Sequence, residues 1–263
     1  MNAVPNLPDA IRAILGGAPY TTDHIGMSDA QVRLYPDKVL KILPDNGESA
    51  REVDVLRWLA GRLPVPRVLA CERQEGRLWL LMTRLTGRMT CDESMLSDPA
   101  ALTGILAEGL RMLWAVPTGE CPIRCDLDAK LRIARDNVEQ GLVSVDNVEP
   151  ETFGPGGFRD PEHLLYWLES NRPPEELAFT HGDFCLPNIF FENGHVSGFL
   201  DLGKAGLADP YQDLAIGVRS LRHNTDGTYG PRIDFDPMAL FDRLGLRPDT
   251  EKLRYYTLLD ELF

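Results

Sequence analysis

The chain has 263 residues, 43% of them hydrophobic, and 40 Asp and Glu against 27 Lys and Arg, for a formal net charge of −13. That length and apolar share allow one large domain or two packed lobes with an ample core, and they exclude a disordered chain. The charge disfavours nucleic acid and anionic membranes as partners and favours a cationic one, and the lack of any run of about 18 apolar residues argues against a membrane span.

In chain order, Asp9–Leu15 has helical spacing. Residues 31–34 and 38–43 read as paired strands around the Pro36-Asp37 turn. Residues 48–59 put Val53, Leu56 and Leu59 on one helical face. Two more strands, 67–70 and 78–82, flank Gln74-Glu75-Gly76, and Leu85-Thr86-Gly87 suits a hinge near 82–87. Residues 1–85 therefore read as a small sheet-bearing lobe and 86–263 as a larger, mainly helical one. In the second, Pro99–Trp114 carries Leu102, Ile105, Leu106, Leu110 and Leu113 on one face. Further helices are predicted at 128–140, Pro161–Ser170, 211–221 and from Thr250 to the end, with Pro161 well placed in a first turn. Residues 145–159 are rich in Pro, Gly and acid and read as a loop. The N-terminus has no basic or apolar leader, and the five cysteines are odd in number and scattered. Both features suit reduced thiols in the cytoplasm.

One block carries chemistry. His181-Gly182-Asp183-Phe184-Cys185-Leu186-Pro187-Asn188, then Asp201-Leu202-Gly203, spells H-x-D-x-x-x-x-N followed by D-x-G. In that order a kinase-type site presents a base, a metal-binding amide and a metal-binding carboxylate. Between them, Asn193-Gly194 separates two apolar runs, a hairpin signal that would return Asp201 to Asn188. Upstream, Lys41 on a strand and Glu52 on the next helix match the ion pair that holds nucleotide phosphates. Gly26-Met27-Ser28 is a weak phosphate-turn candidate. His181 reads as structural, Lys204 as a charge near the transferring phosphoryl group, and Asp209 and Asp213 as anchors of the following helix. A metallohydrolase cluster of His181, Asp183, Asp201, Asp209 and Asp213 would want more histidines at ligand spacing.

With these motifs the chain resembles the bacterial aminoglycoside 3′-phosphotransferase family, antibiotic-resistance kinases of protein-kinase-like fold. The resemblance runs from about Gly26 to Phe263. It rests on Trp58-Leu59 before Leu63-Pro64-Val65-Pro66, Thr180 to Asn188, Ser197 to Gly203, Ala208-Asp209 with Tyr211-Gln212-Asp213, and Leu258-Leu259-Asp260-Glu261-Leu262-Phe263. It implies an α+β bilobal fold, ATP as phosphoryl donor with GTP an open alternative, Mg²⁺, and a cationic aminoglycoside as partner of a monomer or weak dimer. It implies Asp183 as base, Asn188 and Asp201 as Mg²⁺ ligands, Lys41 on the phosphates with Glu52 beside it, and Met27 and Ser28 over them. Adenine is expected near Met82 to Arg84. The drug is expected against Asp146, Glu149, Glu151, Asp260, Glu261 and the terminal carboxylate of Phe263, with Arg219 in the same site. Carboxylates at a helix C-terminus oppose its dipole by about 0.3–1 kcal/mol, which a bound cation would relieve. Three positions depart from the family pattern: Lys204 stands where many members have Arg, His223 where some have an acid, and Val39 where some stack an aromatic on adenine. These bear on catalysis, substrate range and nucleotide preference respectively.

Overall fold

The structure, a computed structural model, describes residues 7–23, 30–145, 148–229 and 232–263. Met27, Ser28 and Asp146 lie outside these residues. The first part runs α1 (Asp9–Leu15), β1 (Thr21–Asp23), β2 (Gln31–Leu34), β3 (Lys38–Pro44), α2 (Gly47–Leu59), β4 (Val68–Gln74) and β5 (Arg77–Thr83). Its strands make one antiparallel sheet in the order β1-β2-β3-β5-β4. Strand alternation assigns the two faces. Leu40, Ile42, Trp79 and Leu81 pack with Ile11 and Leu15 of α1 on one side. Leu78, Leu80 and Met82 face the other way, into the main core with Val53, Leu56 and Leu59 of α2. Lys41 lies between Leu40 and Ile42, so the pleat turns it away from α1.

Helix α2 starts where Asn46 caps it. The Asn46 side chain accepts the N–H groups of Glu48 and Ser49, and Ser49 Oγ accepts the Asn46 N–H, each at 3.0 Å. This reciprocal box satisfies first-turn donors and sets the helix register. The register in turn buries Glu52 beside Val53 and Leu56.

The chain continues with β6 (Arg88–Met89), α3 (Glu93–Leu96), α4 (Pro99–Trp114), α5 (Leu127–Glu139), α6 (Pro161–Ser170) and β7 (Ala178–Thr180). It closes with β8 (Ile189–Glu192), β9 (His195–Phe199), β10 (Gly206–Ala208), α7 (Tyr211–Thr225), α8 (Ala239–Leu244) and α9 (Thr250–Asp260). Strands β6-β8-β9 form a small sheet and β7 pairs with β10. The fold is α+β and bilobal, a small antiparallel sheet followed by a mainly helical body. The main core crosses from one part to the other, joining Leu56 and Leu80 to Leu106, Phe184 and Phe199. A second core packs α5, α6 and α9 through Leu131, Leu164, Leu168 and Tyr255. Among the described residues no helix is long and apolar enough to cross a membrane.

The structure extends several predicted elements. Strand β4 runs to Gln74, which pairs with Arg77 across the turn. Helix α7 runs four residues past 221 because Asn224 and Thr225 hydrogen-bond back to the Ser220 and Leu221 carbonyls, each at 2.8 Å. Strands β1, β6, β7 and β10 and helices α3 and α8 were not predicted. They span two to six residues each, too few for a period to show.

Candidate active site

The site is built on the β8–β9 hairpin. Asn193 and Gly194 both take positive φ, 53° and 80°, the backbone a tight two-residue turn requires. The paired strands return the chain so that the Leu200 N–H donates to the Asn188 carbonyl at 2.9 Å. Asp201 follows in the left-handed region, at φ 54° and ψ 57°, a conformation uncommon outside glycine that Asp tolerates better than most side chains. Such a bend turns its carboxylate out of the strand direction and toward Lys41.

Lys41 Nζ donates to Glu52 Oε1 at 2.8 Å and also contacts Asp201 Oδ1. Burial works against the ammonium, but the charges of Glu52 and Asp201 outweigh it and raise its proton affinity above the ordinary lysine range. Lys41 is therefore a permanent cation. These residues line a cavity of about 390 Å³ together with Val39, Met82, Arg84, Asn188 and Leu200. Six residues predicted from sequence thus meet in one cleft: Lys41, Glu52, Met82, Arg84, Asn188 and Asp201. The N–H groups of Thr83 and Arg84 are committed to the carbonyls of Arg67 and Asp37, each at 3.0 Å, and the Arg84 side chain to Tyr35.

Asn188 Nδ2 donates to the Asp183 backbone carbonyl at 3.0 Å and to its carboxylate at 3.1 Å. The amide oxygen is the atom left for a cation, and Asp201 is half exposed with only one oxygen engaged by Lys41. Neutral amide and carboxylate oxygens are the hard donors Mg²⁺ takes, and it commonly uses one or two carboxylates plus substrate phosphates. No group of three or more His, Cys, Asp or Glu side chains is poised to hold a metal among the described residues. The donor set fits Mg²⁺ shared with a nucleotide.

The loop carrying Asp183 is anchored from beneath. The N–H groups of His181 and Gly182 donate to the two oxygens of buried Asp213, at 2.7 and 2.8 Å. His181 is fully buried, which lowers its proton affinity, and its Nδ1 accepts the Asp183 N–H at 3.3 Å. It is a structural residue, as its position two places from Asp183 suggests. Gly182 has φ 81°, and a Cβ there would run into the Lys204 backbone carbonyl. Gly182→Ala is accordingly expected to destabilise the protein by about 1–3 kcal/mol, read as a lowered denaturant midpoint. A midpoint equal to wild type would show that the two segments separate freely. The same close approach seats Lys204 beside the Asp183 loop, although its side chain lines a different cavity from the nucleotide-sized cleft.

Among the described residues of the predicted acidic surface, Glu149, Asp260 and Glu261 are paired internally. Arg219 contacts Asp260 and stands 3.7 Å from Glu261. Glu149 lies 2.5 Å from Arg222 and 3.2 Å from His223, and its N–H donates to Glu261 at 3.1 Å. The opposition between the α9 dipole and its terminal acids is thus relieved by Arg219, without an external cation. Glu151 is exposed and has no ion pair among the described residues. Phe263 sits against Lys130, and Asn137 Nδ2 holds the Leu262 carbonyl at 2.9 Å. Sequence reasoning passed over Lys130. Its signal is its place on the buried face of α5, next to the Leu127, Leu131, Ala134 and Val138 stripe.

Burial pushes the Glu261 carboxyl up to about 7, against the pull of the Glu149 N–H and Arg219. A carboxyl raised on folding binds a proton in the native state that the unfolded chain has lost. Its contribution to stability is therefore fully present below the ordinary glutamate range and declines as pH rises toward 7. Glu261→Gln should remove that decline, so that the stability difference between wild type and variant shifts against wild type from pH 5 to pH 8. A pH-independent difference in thermal midpoint would show that Glu261 does not titrate this way.

Residues 21–248 match the phosphotransferase enzyme family. An aminoglycoside 3′-phosphotransferase from Enterococcus faecalis is 39% identical over 215 residues, covering 81% of this chain and 78% of the relative. Another from Niallia circulans is 36% identical over 270 residues, covering 98% of each. The solved structure of aminoglycoside phosphotransferase APH(3″)-Id from Streptomyces rimosus superposes with a TM-score of 0.81 at 27% identity, covering 96% of both chains. It has also been solved with ADP and streptomycin. By sequence and structure the chain belongs to the phosphotransferase enzyme family, among the aminoglycoside 3′-phosphotransferases.

Proposed function

We propose that the protein transfers the γ-phosphoryl group of ATP to the 3′-hydroxyl of a kanamycin- or neomycin-type aminoglycoside and so confers resistance. The observation that carries this reading is the cleft where Lys41, Glu52, Asn188 and Asp201 meet, with Asp183 tied to it through Asn188. Asp183 orients the acceptor hydroxyl and takes its proton. Lys41, held by Glu52, meets the α- and β-phosphates. Asn188 and Asp201 hold Mg²⁺, which when bound neutralises phosphate charge. Lys204, seated beside the Asp183 loop though outside the nucleotide cleft, adds a cation on the Asp183 side of the transferring group. Adenine lies along Met82 to Arg84, where carbonyls are the groups offered, since the Thr83 and Arg84 N–H groups are already used. Met27 and Ser28 cover the phosphates. Catalysis on such a site is mostly positioning and electrostatic stabilisation.

The acceptor is a polycation, and Asp146, Glu149, Glu151, Asp260, Glu261 and the Phe263 carboxylate supply its countercharge, its ammonium groups sharing Glu149, Asp260 and Glu261 with Arg219, Arg222 and His223. Arg219 acts by holding Asp260 in place. We assign residues 1–85 to nucleotide binding and 86–263 to catalysis and drug binding. The protein is assigned to the cytoplasm as a monomer or weak dimer, with no nucleic-acid or membrane partner. The five cysteines are free thiols, which suits that compartment.

A coupled ADP-release assay tests the reading. Turnover is expected with kanamycin and not with tobramycin, which lacks the 3′-hydroxyl. Equal turnover with both would move the reaction to another hydroxyl. No turnover with any 4,5- or 4,6-linked aminoglycoside would overturn the activity.

A further inference from the structure

The stretch that joins the sheet-bearing part to the helical body is held on both sides of Leu85. Before it, the Thr83 and Arg84 N–H groups donate to the Arg67 and Asp37 carbonyls of the sheet-bearing part, each at 3.0 Å. After it, the Thr86 carbonyl accepts Ser197 Oγ at 2.9 Å, Thr86 Oγ1 donates to Glu192 at 3.0 Å, and β6 pairs with β8. The β8–β9 hairpin therefore clasps this stretch as well as placing Asn188 and Asp201 at its two ends. Leu85 itself lines the nucleotide cleft, with Met82, Arg84, Asn188 and Leu200.

The Leu85 side chain rests on Gly198 of β9. A Cβ at Gly198 would lie 2.5 and 2.7 Å from the two Leu85 methyl carbons and 3.1 Å from its Cγ. Carbon atoms pack at about 3.5–4.0 Å, so even one methyl group would force Leu85 off this seat. Gly198 is buried in extended strand, paired with Phe190, and it does not occupy the left-handed region. Its backbone does not call for glycine. The space does. Because the backbone on either side of Leu85 is tied down, the side chain must yield, and that side chain is part of the cleft wall.

We propose that Gly198 is a positioning residue for the nucleotide: by seating Leu85 it sets the width of the slot that takes the purine base. The role presupposes that the cleft takes ATP, as proposed above. Gly198 does not line the cleft and acts only through Leu85. A Cβ at this position costs affinity at the base, while Lys41, Asn188 and Asp201 keep their places around the phosphates.

The test pairs calorimetric titration of the full chain with AMP-PNP and Mg²⁺ with ADP release at saturating ATP and kanamycin. In Gly198→Ala, AMP-PNP binding is expected to weaken about tenfold, with kcat close to wild type. Leu85→Ala removes the methyl groups that would collide. The double variant should therefore bind AMP-PNP no more weakly than Leu85→Ala alone, and this comparison decides the matter even where Gly198→Ala does not fold by itself. Wild-type affinity in Gly198→Ala would overturn the proposal. So would losses that multiply in the double variant, or a kcat that falls as far as the affinity, which would mean that the whole hairpin is disturbed. A wild-type chain that binds AMP-PNP but does not turn over kanamycin would overturn the activity and leave the role of Gly198 to the titrations. A wild-type chain that does not bind AMP-PNP would overturn both.

Discussion

Replacing Asp183 with asparagine is expected to lower kcat by about 10²–10⁴-fold while leaving KM for nucleotide and drug near wild type. Asparagine keeps the shape and one side-chain oxygen, so the contact from Asn188 Nδ2, 3.1 Å in the wild type, has an acceptor to replace it. What it loses is the ability to take a proton. No neighbour can substitute. His181 is fully buried and its Nδ1 is occupied by the Asp183 N–H. Cys185 is held as a thiol, its proton affinity raised chiefly by burial, which the substitution leaves in place. Steady-state ADP release measures the effect. A loss confined to KM would make Asp183 a binding group rather than the base.

Asp213→Ala should have the largest effect on stability, about 3–5 kcal/mol, because it leaves the His181 and Gly182 N–H groups buried without acceptors. At roughly 2–4 °C per kcal/mol for a chain of this class, the thermal midpoint should fall by about 6–20 °C. Burial pushes the Asp213 carboxyl up to about 7, against the pull of those two N–H groups and Lys130. Asp213→Asn retains one acceptor oxygen and should lie between wild type and alanine. Activity should fall further than the folded fraction, since the loop that loosens carries Asp183. Denaturant midpoints with turnover per folded molecule separate the two effects. A wild-type midpoint for the alanine variant would mean that the loop is held elsewhere.

Much of this was readable before the fold. Helices α1, α4 and α6 begin and end where their periodicity and Pro or Asp starts place them, since each has a continuous apolar face. The Asn193-Gly194 turn announced the hairpin because few other dipeptides tolerate two positive φ values in succession. The pairing of β7 with β10 was not readable. Three residues carry no period, and their partners are separated by the whole hairpin.

The acidic residues mark a subtler limit. Glu149, Asp260 and Glu261 are visible in the sequence as charge, but their pairing with Arg219, Arg222 and His223 brings together α7, α9 and the loop before α6. Lys204 likewise belongs by sequence to the D-x-G block. Its side chain lines the cavity beside Lys130, because the close approach of Gly182 sets where the turn can lie.

The sequence by itself determined the order of chemical groups, the helices with a full apolar face, the hairpin turn and the family. These depend on residue type and on spacing along a local backbone, which the chain states directly. Tertiary structure alone decided which charges neutralise one another, which N–H groups remain for a ligand, and that Lys204 lines a cavity apart from the nucleotide cleft. Those outcomes depend on distances between elements far apart in the chain. Such distances arise only when the cores joining α2 to α4, and α5 to α9, close around them.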